Sequence, residues 1–254
     1  MRDRFAYLDH PGPIPFAHRG GASEAPENTL PAFQMAIDLG YRYLETDVQL
    51  TADGVLVAFH DNDLLRTTGR KGRISDLPWS TVQQALVDGR EPIPLLEDLL
   101  GSFPEARINI DCKTDRAVDA LVDVLRRANA LDRVCLGAFS SRRLRRLRTS
   151  LGAQVCTSLG PTEVIRWLLA SSFPAFGIMP AVPCAQVPVS QSGITVVNER
   201  TIERAHRAGM AVHVWTIDDP DEMARLLDIG VDGIMTDRPG VLKSVLADRG
   251  LWMG

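Results

Sequence analysis

The feature that most constrains the fold is a repeated alternation between short apolar runs and stretches with helical periodicity. Eight apolar runs are predicted strands, and they lie at Ile14–His18, Tyr43–Gln49, Arg107–Lys113, Val134–Phe139, Ala153–Ser158, Ala175–Met179, Ala211–Thr216 and Gly233–Thr236. The pattern predicts helices over about 29–39, 94–101, 116–129, 141–150, 161–171, 199–208, 219–228 and 239–248. Several of these helices end at a glycine that we interpret as a left-handed cap, at Gly40, Gly101, Gly209 and Gly230.

Strands that are mostly apolar on both faces and alternate with helices are typical of a parallel sheet covered by helices. Eight such units in 254 residues favour a closed (β/α)₈ barrel, the TIM barrel, over an open doubly wound sheet. The doubly wound alternative loses its main support because no G-x-G-x-x-G fingerprint follows the first strand, where Gly20 and Gly21 stand instead. The predicted fold class is therefore α/β, a TIM barrel.

Residues 61–93 interrupt the alternation, since they carry glycine, proline and charge without a clear period. We interpret Val55–His60, just before them, as a continuation of the second strand by a hairpin across Asp53 and Gly54. We expect 61–93 to be a small insertion over one end of the barrel. No polar linker or change of composition marks a boundary, so residues 1–254 are predicted to form a single domain.

The composition is that of an ordinary globular protein, with 45% hydrophobic and 24% charged residues. A net charge of -4 and a pI near 5.8 predict that nucleic acid is not a partner. The start lacks a secretory apolar run and no window is long enough to span a bilayer, so we expect a cytoplasmic protein without an integral membrane segment. The four cysteines lie far apart without a C-x-x-C pair, and we interpret them as reduced core thiols rather than a zinc or disulfide site.

Charged side chains stand at the ends of several predicted strands, where the active site of such a barrel lies. Residues two apart in a strand point to the same face, so Glu45 and Asp47 share a side. Asp111 and Lys113 share one for the same reason. Three carboxylates inside a barrel are costly unless they are paired or bind a cation, and oxygen ligands favour a hard divalent ion, Mg²⁺ or Ca²⁺. The alternative is a buried ion-pair network, with Arg19 on Glu45 or Asp47 and Lys113 on Asp111.

Two of the five histidines, His18 and His60, end early strands. Two imidazoles beside a bound metal are suited to act as general base and general acid near neutral pH. Arg19 and Lys113 add positive charge, and an arginine offers a bidentate fork to a phosphate. This combination suits phosphodiester hydrolysis, in which a nucleophile is placed in line, the equatorial oxygens are neutralised and the leaving group is protonated.

Three stretches of the chain resemble the glycerophosphodiester phosphodiesterases, a family that shares its barrel with the phosphatidylinositol-specific phospholipases C. They are AHRGGASEAPENTLPAF at 17–33, LETDVQLTADGVLVAFHD at 44–61 and VHVWTIDDPDEMARLLDIGVDGIMTDRP at 212–239. The resemblance extends along almost the whole chain. It implies metal-dependent hydrolysis of a small-molecule glycerophosphodiester to sn-glycerol 3-phosphate and an alcohol.

The resemblance also implies a role for each matching position. The implied assignments are His18 and His60 for acid/base catalysis, Glu45, Asp47 and Asp111 for one divalent cation, Arg19 and Lys113 for the phosphate, Trp215 for the wall of the substrate pocket, and Glu27 and Asn28 for the shape of the site.

Two positions depart from the family pattern. Asp111 stands where the family usually has glutamate, and its shorter side chain is expected to reach the metal through water or to draw it toward its own strand. Asp218 stands where the family has asparagine. It adds negative charge near the mouth of the pocket if it faces inward, and otherwise lies solvated in a loop.

Two alternatives to this function remain open at this point. One is a lysophospholipase D-like enzyme acting on a lipid, which requires an apolar channel or a membrane-facing patch. The other is a barrel that binds phosphoesters without turnover. The sequence also leaves the oligomeric state open.

Overall fold

A computed structural model describes residues 4–172 and 180–253 of the chain. Its strands are β1 (Ile14–His18), β2 (Tyr43–Leu50), β3 (Leu56–Ala58), β4 (Leu86–Val87), β5 (Glu91–Pro92), β6 (Arg107–Cys112), β7 (Val134–Gly137), β8 (Cys156–Thr157), β9 (Cys184–Val187), β10 (Ser190–Gln191), β11 (Ile194–Thr195), β12 (Ala211–Val214) and β13 (Gly233–Thr236). Within the described ranges, eight of them run parallel in the order β8-β7-β6-β2-β1-β13-β12-β9 and form a nearly closed barrel. The predicted TIM barrel is confirmed.

Helices cover the outside of this barrel, and two short ones belong to the insertion. They are α1 (Leu30–Asp38), α2 (Leu65–Thr68), α3 (Trp79–Val82), α4 (Leu96–Ser102), α5 (Ala117–Arg127), α6 (Ser141–Leu151), α7 (Pro161–Ser172), α8 (Glu199–Arg207), α9 (Pro220–Asp228) and α10 (Pro239–Asp248). Thr29 caps α1 by accepting a hydrogen bond from the backbone N–H of Ala32, as expected for threonine at that position. The cap prediction was wrong for Gly101, which lies inside α4, whereas Gly40, Gly209 and Gly230 have positive φ angles.

The register of the parallel strands brings the predicted site residues to one end of the barrel. His18 pairs with Glu45 across β1 and β2, and Asp47 pairs with Asp111 across β2 and β6. Because partners in a parallel ladder point to the same face, these side chains all enter the barrel interior at the C-terminal ends of the strands.

The barrel closes least completely between β8 and β9. Among the described residues, a parallel bridge between Ser158 and Cys184 joins these two strands. The backbone N–H of Leu159 also donates a hydrogen bond to the Cys184 carbonyl at 3.0 Å. The predicted strand Ala175–Met179 lies wholly within 173–179, outside the described residues. The strand β9 was not predicted, because its four residues do not form an apolar run. They include Gln186, and Pro183 and Pro188 stand on either side of them.

The insertion begins with the predicted hairpin, since β3 pairs antiparallel with the end of β2. The residues that follow the hairpin form short helices and strands rather than one long element. They bury an apolar cluster with the hairpin, formed by Val57, Phe59, Leu64, Ile74, Val82, Ala85, Val87 and Ile93. Trp79 packs against this cluster and is partly buried. The insertion therefore has its own small packed layer on top of β2.

All four cysteines are buried and free, which agrees with the prediction of reduced core thiols. Three of them, Cys135, Cys156 and Cys184, nevertheless lie together inside the barrel, with sulfur atoms within 4.8 Å of one another. The separation of these cysteines in the sequence did not predict their contact, because β7, β8 and β9 are neighbours in the barrel. Across the described ranges, no helix has both the length and the apolar character needed to cross a bilayer.

Candidate active site

A pocket of about 560 Å³ opens at the C-terminal ends of the barrel strands. Eight of the ten predicted site residues line it: His18, Arg19, Glu45, Asp47, His60, Asp111, Lys113 and Trp215. The other two, Glu27 and Asn28, lie behind this lining and contact it through hydrogen bonds. The structure thus brings together all ten residues, which come from positions 18 to 215 of the sequence.

The loop after β1 is shaped by two glycines. Gly20 has a φ of 83°, and a Cβ atom there would lie 2.7 Å from Cβ of Ala32 in α1. Only glycine fits such a close approach in this backbone conformation. The turn lets the backbone N–H of Arg19 donate to a Glu45 carboxylate oxygen at 3.1 Å. The glycines after His18 and Arg19 therefore position both side chains over β2.

His18 is held between two carboxylates. Its Nδ1 lies 2.6 Å from Oδ1 of Asp237, and its Nε2 lies 3.7 Å from Oε2 of Glu45. Burial on its own lowers the pKa of His18, but the charges of Glu45 and Asp237 outweigh it and raise the pKa above its usual value. The ring is thus fixed in orientation, with Nε2 toward the carboxylates of β2.

His60 is held in a similar way at the edge of the insertion. Its Nδ1 lies 2.6 Å from Oδ1 of Asp61, whose Oδ2 accepts a hydrogen bond from Nε of Arg66 at 2.6 Å. Arg66 also donates two hydrogen bonds of 2.7 Å to Glu27. Glu27 in turn accepts one from Arg19 at 3.2 Å. This chain of contacts links the insertion to the loop after β1.

Asp47 lies at the centre of the charged cluster and is almost completely buried. It is 2.7 Å from Nζ of Lys113 and 3.2 Å from Nε of Arg19, and it accepts a hydrogen bond from the Asn28 side chain at 3.1 Å. Burial raises the pKa of Asp47, but the two cations, Lys113 first, outweigh burial and lower it overall. Asp47 is therefore ionised and paired.

The carboxylate charges of Glu45 and Asp111 are less well neutralised by neighbouring cations than that of Asp47. Burial first, and then the charge of Asp47, raise the pKa of Glu45 to about 7. Asp111 pairs with Lys113 at 2.6 Å through Oδ2, while its Oδ1 is buried without a hydrogen-bond partner in the part of the chain that the structure describes. Burial raises the pKa of Asp111 as well. The site thus holds more carboxylate charge than Arg19 and Lys113 neutralise.

A single cation held by Glu45, Asp47 and Asp111 requires that their oxygens converge on one point. In the described residues they do not lie within 4.8 Å of one another as a group. Asp47 pairs with Arg19 and Lys113, and Asp111 pairs with Lys113, as the ion-pair alternative predicts. The donor set nevertheless fits a hard cation. It consists of three buried carboxylates at one rim, one of which has an orphaned oxygen.

One side of the pocket is apolar. Trp215 follows β12 and contacts Phe139 edge to face, with ring centroids 5.6 Å apart. Nζ of Lys113 lies 5.6 Å from the centroid of the same Phe139 ring. The wall continues through Leu159, Val164, Ile165, Leu168, Val187, Ile194 and Val196. The charged cluster and an apolar wall therefore line the same pocket and meet where Lys113 approaches Phe139.

The sequence matches the glycerophosphoryl diester phosphodiesterase family over residues 18–241. The chain belongs to this family. It is similar to a probable glycerophosphodiester phosphodiesterase of Mycobacterium tuberculosis, with 43% identity over 253 residues that cover 98% of this chain and 96% of the relative. A lysophospholipase D of Mus musculus is 29% identical over 273 residues, covering 91% and 85% of the two chains.

A solved structure of the same fold comes from Oleispira antarctica. It is a phosphodiesterase in complex with the product sn-glycerol-3-phosphate, and it matches with a TM-score of 0.78 and 23% identity over 93% of this chain and 97% of that one. The resemblance seen in the sequence is thus confirmed, and the chain is an enzyme of the glycerophosphodiester phosphodiesterase family.

Two carboxylates that hold the imidazoles in this family member were not predicted as site residues. Asp237 is the first residue after β13, so a reading of every strand end would have included it. Asp61 directly follows His60 and lies at the end of a motif stretch. Their hydrogen bonds to Nδ1 depend on tertiary structure, which spacing alone does not show.

The departure from the family at Asp218 has a local explanation. Oδ1 of Asp218 accepts hydrogen bonds of 2.8 Å from Oγ1 of Thr236 and from the backbone N–H of Asp237. Neither of the two expected positions, the pocket mouth or a solvated loop, describes this arrangement. Asp218 instead holds the loop that carries the partner of His18.

Proposed function

We propose that the chain hydrolyses glycerophosphodiesters to sn-glycerol 3-phosphate and an alcohol, with His18 and His60 as its proton carriers. The observation that carries the proposal is the pair of imidazoles at one pocket rim, each with Nδ1 held by a carboxylate at 2.6 Å. The sn-glycerol-3-phosphate in the Oleispira antarctica structure supports this substrate class.

The carboxylate on each Nδ1 favours the tautomer with a proton there, which leaves Nε2 for proton transfer. One imidazole takes a proton from the nucleophile, which is either water or the substrate's own neighbouring hydroxyl, and the other gives a proton to the departing alcohol oxygen. In the second case the product is a cyclic phosphate, which water then opens to sn-glycerol 3-phosphate. Arg19 and Lys113 exchange part of their contact with Asp47 for the phosphate oxygens. Trp215 closes the side of the pocket against the substrate.

We further propose that Glu45, Asp47 and Asp111 hold one divalent cation, Mg²⁺ or Ca²⁺. The raised pKa of Glu45 and the unpartnered oxygen of Asp111 support it, since both indicate carboxylate charge that the local cations do not compensate. A bound cation supplies charge neutralisation for the phosphate oxygens as negative charge builds on them. Glu27 and Asn28 keep Arg19 and Asp47 in place around it.

Substitution of Asp111 tests this ligand set. Asp111→Ala is expected to raise the cation concentration needed for activity, whereas Asp111→Glu is expected to stay active and to shift activation toward Mg²⁺, which demands shorter and more regular bonds. Asp115→Ala is the matched control, because Asp115 lies in the loop just after the strand that carries Asp111 but pairs with Arg143 at 2.9 Å. Wild-type cation dependence in Asp111→Ala would remove this residue from the ligand set.

A panel assay tests the activity. Glycerophosphocholine, glycerophosphoethanolamine, glycerophosphoglycerol, glycerophosphoinositol and a lysophospholipid are offered with and without chelator. The expected result is release of sn-glycerol 3-phosphate from one or more of the four glycerophosphodiesters, which chelator abolishes and Mg²⁺ or Ca²⁺ restores. Turnover that persists in excess chelator contradicts the cation, and binding of every compound without turnover favours the non-catalytic alternative.

A second candidate substrate is a lysophospholipid, and the apolar wall favours it. Phe139, Ile165 and Ile194 stand at this side of the pocket and are 68%, 58% and 62% exposed. Such exposure suits contact with an acyl chain. If a lysolipid is the better substrate, Ile165→Ser lowers kcat/KM for it while leaving that for glycerophosphocholine unchanged. Equal effects on both substrates would reject the acyl-chain role.

A further inference from the structure

Three thiols form a layer directly beneath the pocket. Cys135, Cys156 and Cys184 lie on β7, β8 and β9, and each stands two residues before a residue that lines the pocket floor: Gly137, Ser158 and Gln186. Residues two apart in a strand point to the same face, so the thiols enter the interior one layer lower. All three are at most 1% exposed.

The spacing of these sulfur atoms suits a metal ion. Sγ of Cys135 and Sγ of Cys184 are 3.7 Å apart, and all three lie within 4.8 Å of one another. Two thiolates on one tetrahedral ion, each at about 2.3 Å, have sulfur atoms about 3.8 Å apart. Three sulfur donors in buried surroundings favour a thiophilic ion such as Zn²⁺ or Cu(I). They do not favour the hard ion proposed for the carboxylate site.

A second observation comes from Tyr7, in the 3₁₀ turn Ala6–Leu8 beneath the thiols. Its hydroxyl is buried and has no hydrogen-bond partner in residues 4–172 and 180–253. Tyr7 packs in the same buried cluster as Cys135, Cys156 and Cys184. An unpartnered buried hydroxyl costs about 1–3 kcal/mol. Tyr7 thus offers an oxygen beside the sulfur atoms.

The thiols also lie at the weakest junction of the barrel. Cys156 is half of the two-residue strand β8, and Cys184 forms the bridge with Ser158 that joins β8 to β9.

We propose that Cys135, Cys156 and Cys184 bind one thiophilic ion, Zn²⁺ or Cu(I), and that this ion joins β7, β8 and β9 where the barrel is least closed. Tyr7 is the oxygen donor that completes the coordination of Zn²⁺, whereas Cu(I) needs only the three sulfur atoms. The site is structural and does not depend on the proposed function.

A titration of the full chain with Cd²⁺, after metal removal and under reducing conditions, tests the proposal. Thiolate bonds to Cd²⁺ absorb in the ultraviolet and carboxylate bonds do not, so the two sites are distinguished. One equivalent is expected to saturate the band in the wild type. Competition with Zn²⁺ and with Cu(I) then identifies which ion binds more tightly.

Cys156→Ala is expected to weaken binding by more than about 100-fold, since even loss of an outer-shell contact costs about 10- to 100-fold. Cys112→Ala is the matched control, because this buried thiol lies outside the cluster and contacts the Thr114 carbonyl. The ion is expected to raise the Tm of the wild type and of Cys112→Ala but not that of Cys156→Ala. Circular dichroism verifies that each variant is folded.

Absence of the band from the wild type would overturn the proposal whatever the variants do. So would equal affinity in Cys112→Ala and Cys156→Ala. Formation of a Cys135–Cys184 disulfide in air, in a protein that takes up no metal when reduced, would assign the cluster to redox chemistry instead.

Discussion

At the scale of single residues, each imidazole of the candidate site depends on a carboxylate that fixes its ring. Asp237 holds His18 and Asp61 holds His60, both at 2.6 Å from Nδ1. A ring held in this way loses little orientational freedom when substrate binds. The two histidines and their two carboxylates are therefore expected to behave differently under mutation.

Replacing His18 or His60 by alanine is expected to lower kcat by about 10²–10⁴-fold, the range for loss of a positioned proton carrier. Steady-state kinetics measure the effect, and circular dichroism verifies the fold. His206→Ala is the control, because His206 pairs with Asp232 at 2.7 Å on an outer helix. A variant at position 18 or 60 with near-normal kcat would exclude that histidine from proton transfer.

Replacing Asp237 by asparagine is expected to lower kcat about 10-fold or more with a smaller effect on KM. Because Asp237 helps to raise the pKa of His18, its neutralisation shifts the limb of the pH profile that depends on His18 to lower pH. An unchanged pH profile would show that Asp237 does not act through the imidazole.

At the scale of elements, Arg148 joins α6, α7 and β8. It donates hydrogen bonds to Glu163 at 2.7 and 3.0 Å, to Thr157 at 2.9 Å and to the Ser158 carbonyl at 2.8 Å. Burial raises the pKa of Glu163, but the hydrogen bond from Arg148 outweighs it and lowers the pKa below 4.5. This contact therefore stabilises the folded state above the ordinary pKa of glutamate and is lost as the pH falls through the lowered value.

Arg148→Met is expected to reduce the free energy of unfolding by about 2 kcal/mol at pH 7, since it leaves half-buried charged and polar groups unpaired. The difference from wild type is expected to shrink below about pH 4.5. Urea unfolding at several pH values measures both. Arg207→Met, which removes an exposed pair with Glu203 on α8, is expected to cost less than about 0.5 kcal/mol. Equal losses would contradict the role of Arg148.

The helices and strands differ in how well the sequence patterns predicted them. Helical periodicity placed α5 and α9 within one or two residues, because an apolar stripe with charged flanks is a local property. β9 and the packing of Cys135 beside Cys184 were missed, since both depend on contacts between distant segments. The ten predicted site residues lie at or directly behind one pocket, because the motifs coincide with strand ends. The pair of Asp111 with Lys113 is the one that the ion-pair alternative predicts, whereas the carboxylates that hold His18 and His60 required the fold.

At the scale of the whole molecule, the barrel depends on pairing its first strand with its last. Gly233 on β13 pairs with Ile14 on β1, and a Cβ atom at position 233 would lie 2.9 Å from the Ile14 carbonyl oxygen and 2.9 Å from Phe16. These neighbours belong to the barrel wall and its interior, where space is filled. The junction of β1 and β13 is therefore sensitive to one added methyl group.

Gly233→Ala is expected to reduce the free energy of unfolding by about 1–3 kcal/mol, because the added carbon overpacks the barrel. Gly101→Ala is the matched comparison, since nothing lies within 4 Å of its Cβ position and it lies in α4. That change is expected to stabilise by about 0.5–1 kcal/mol. Chemical denaturation measures both, and a Gly233→Ala variant as stable as wild type would contradict the close packing.

The hydrogen bond between His18 and Asp237 joins residues 219 positions apart. During synthesis, His18 therefore leaves the ribosome long before its partner does. Long-range contacts of this kind form late, because the intervening chain must first be ordered. A nascent chain that has not yet exposed Asp237 lacks the complete charged cluster. Phosphodiester chemistry then begins only after β13 has joined β1, so incomplete chains are expected to be inactive.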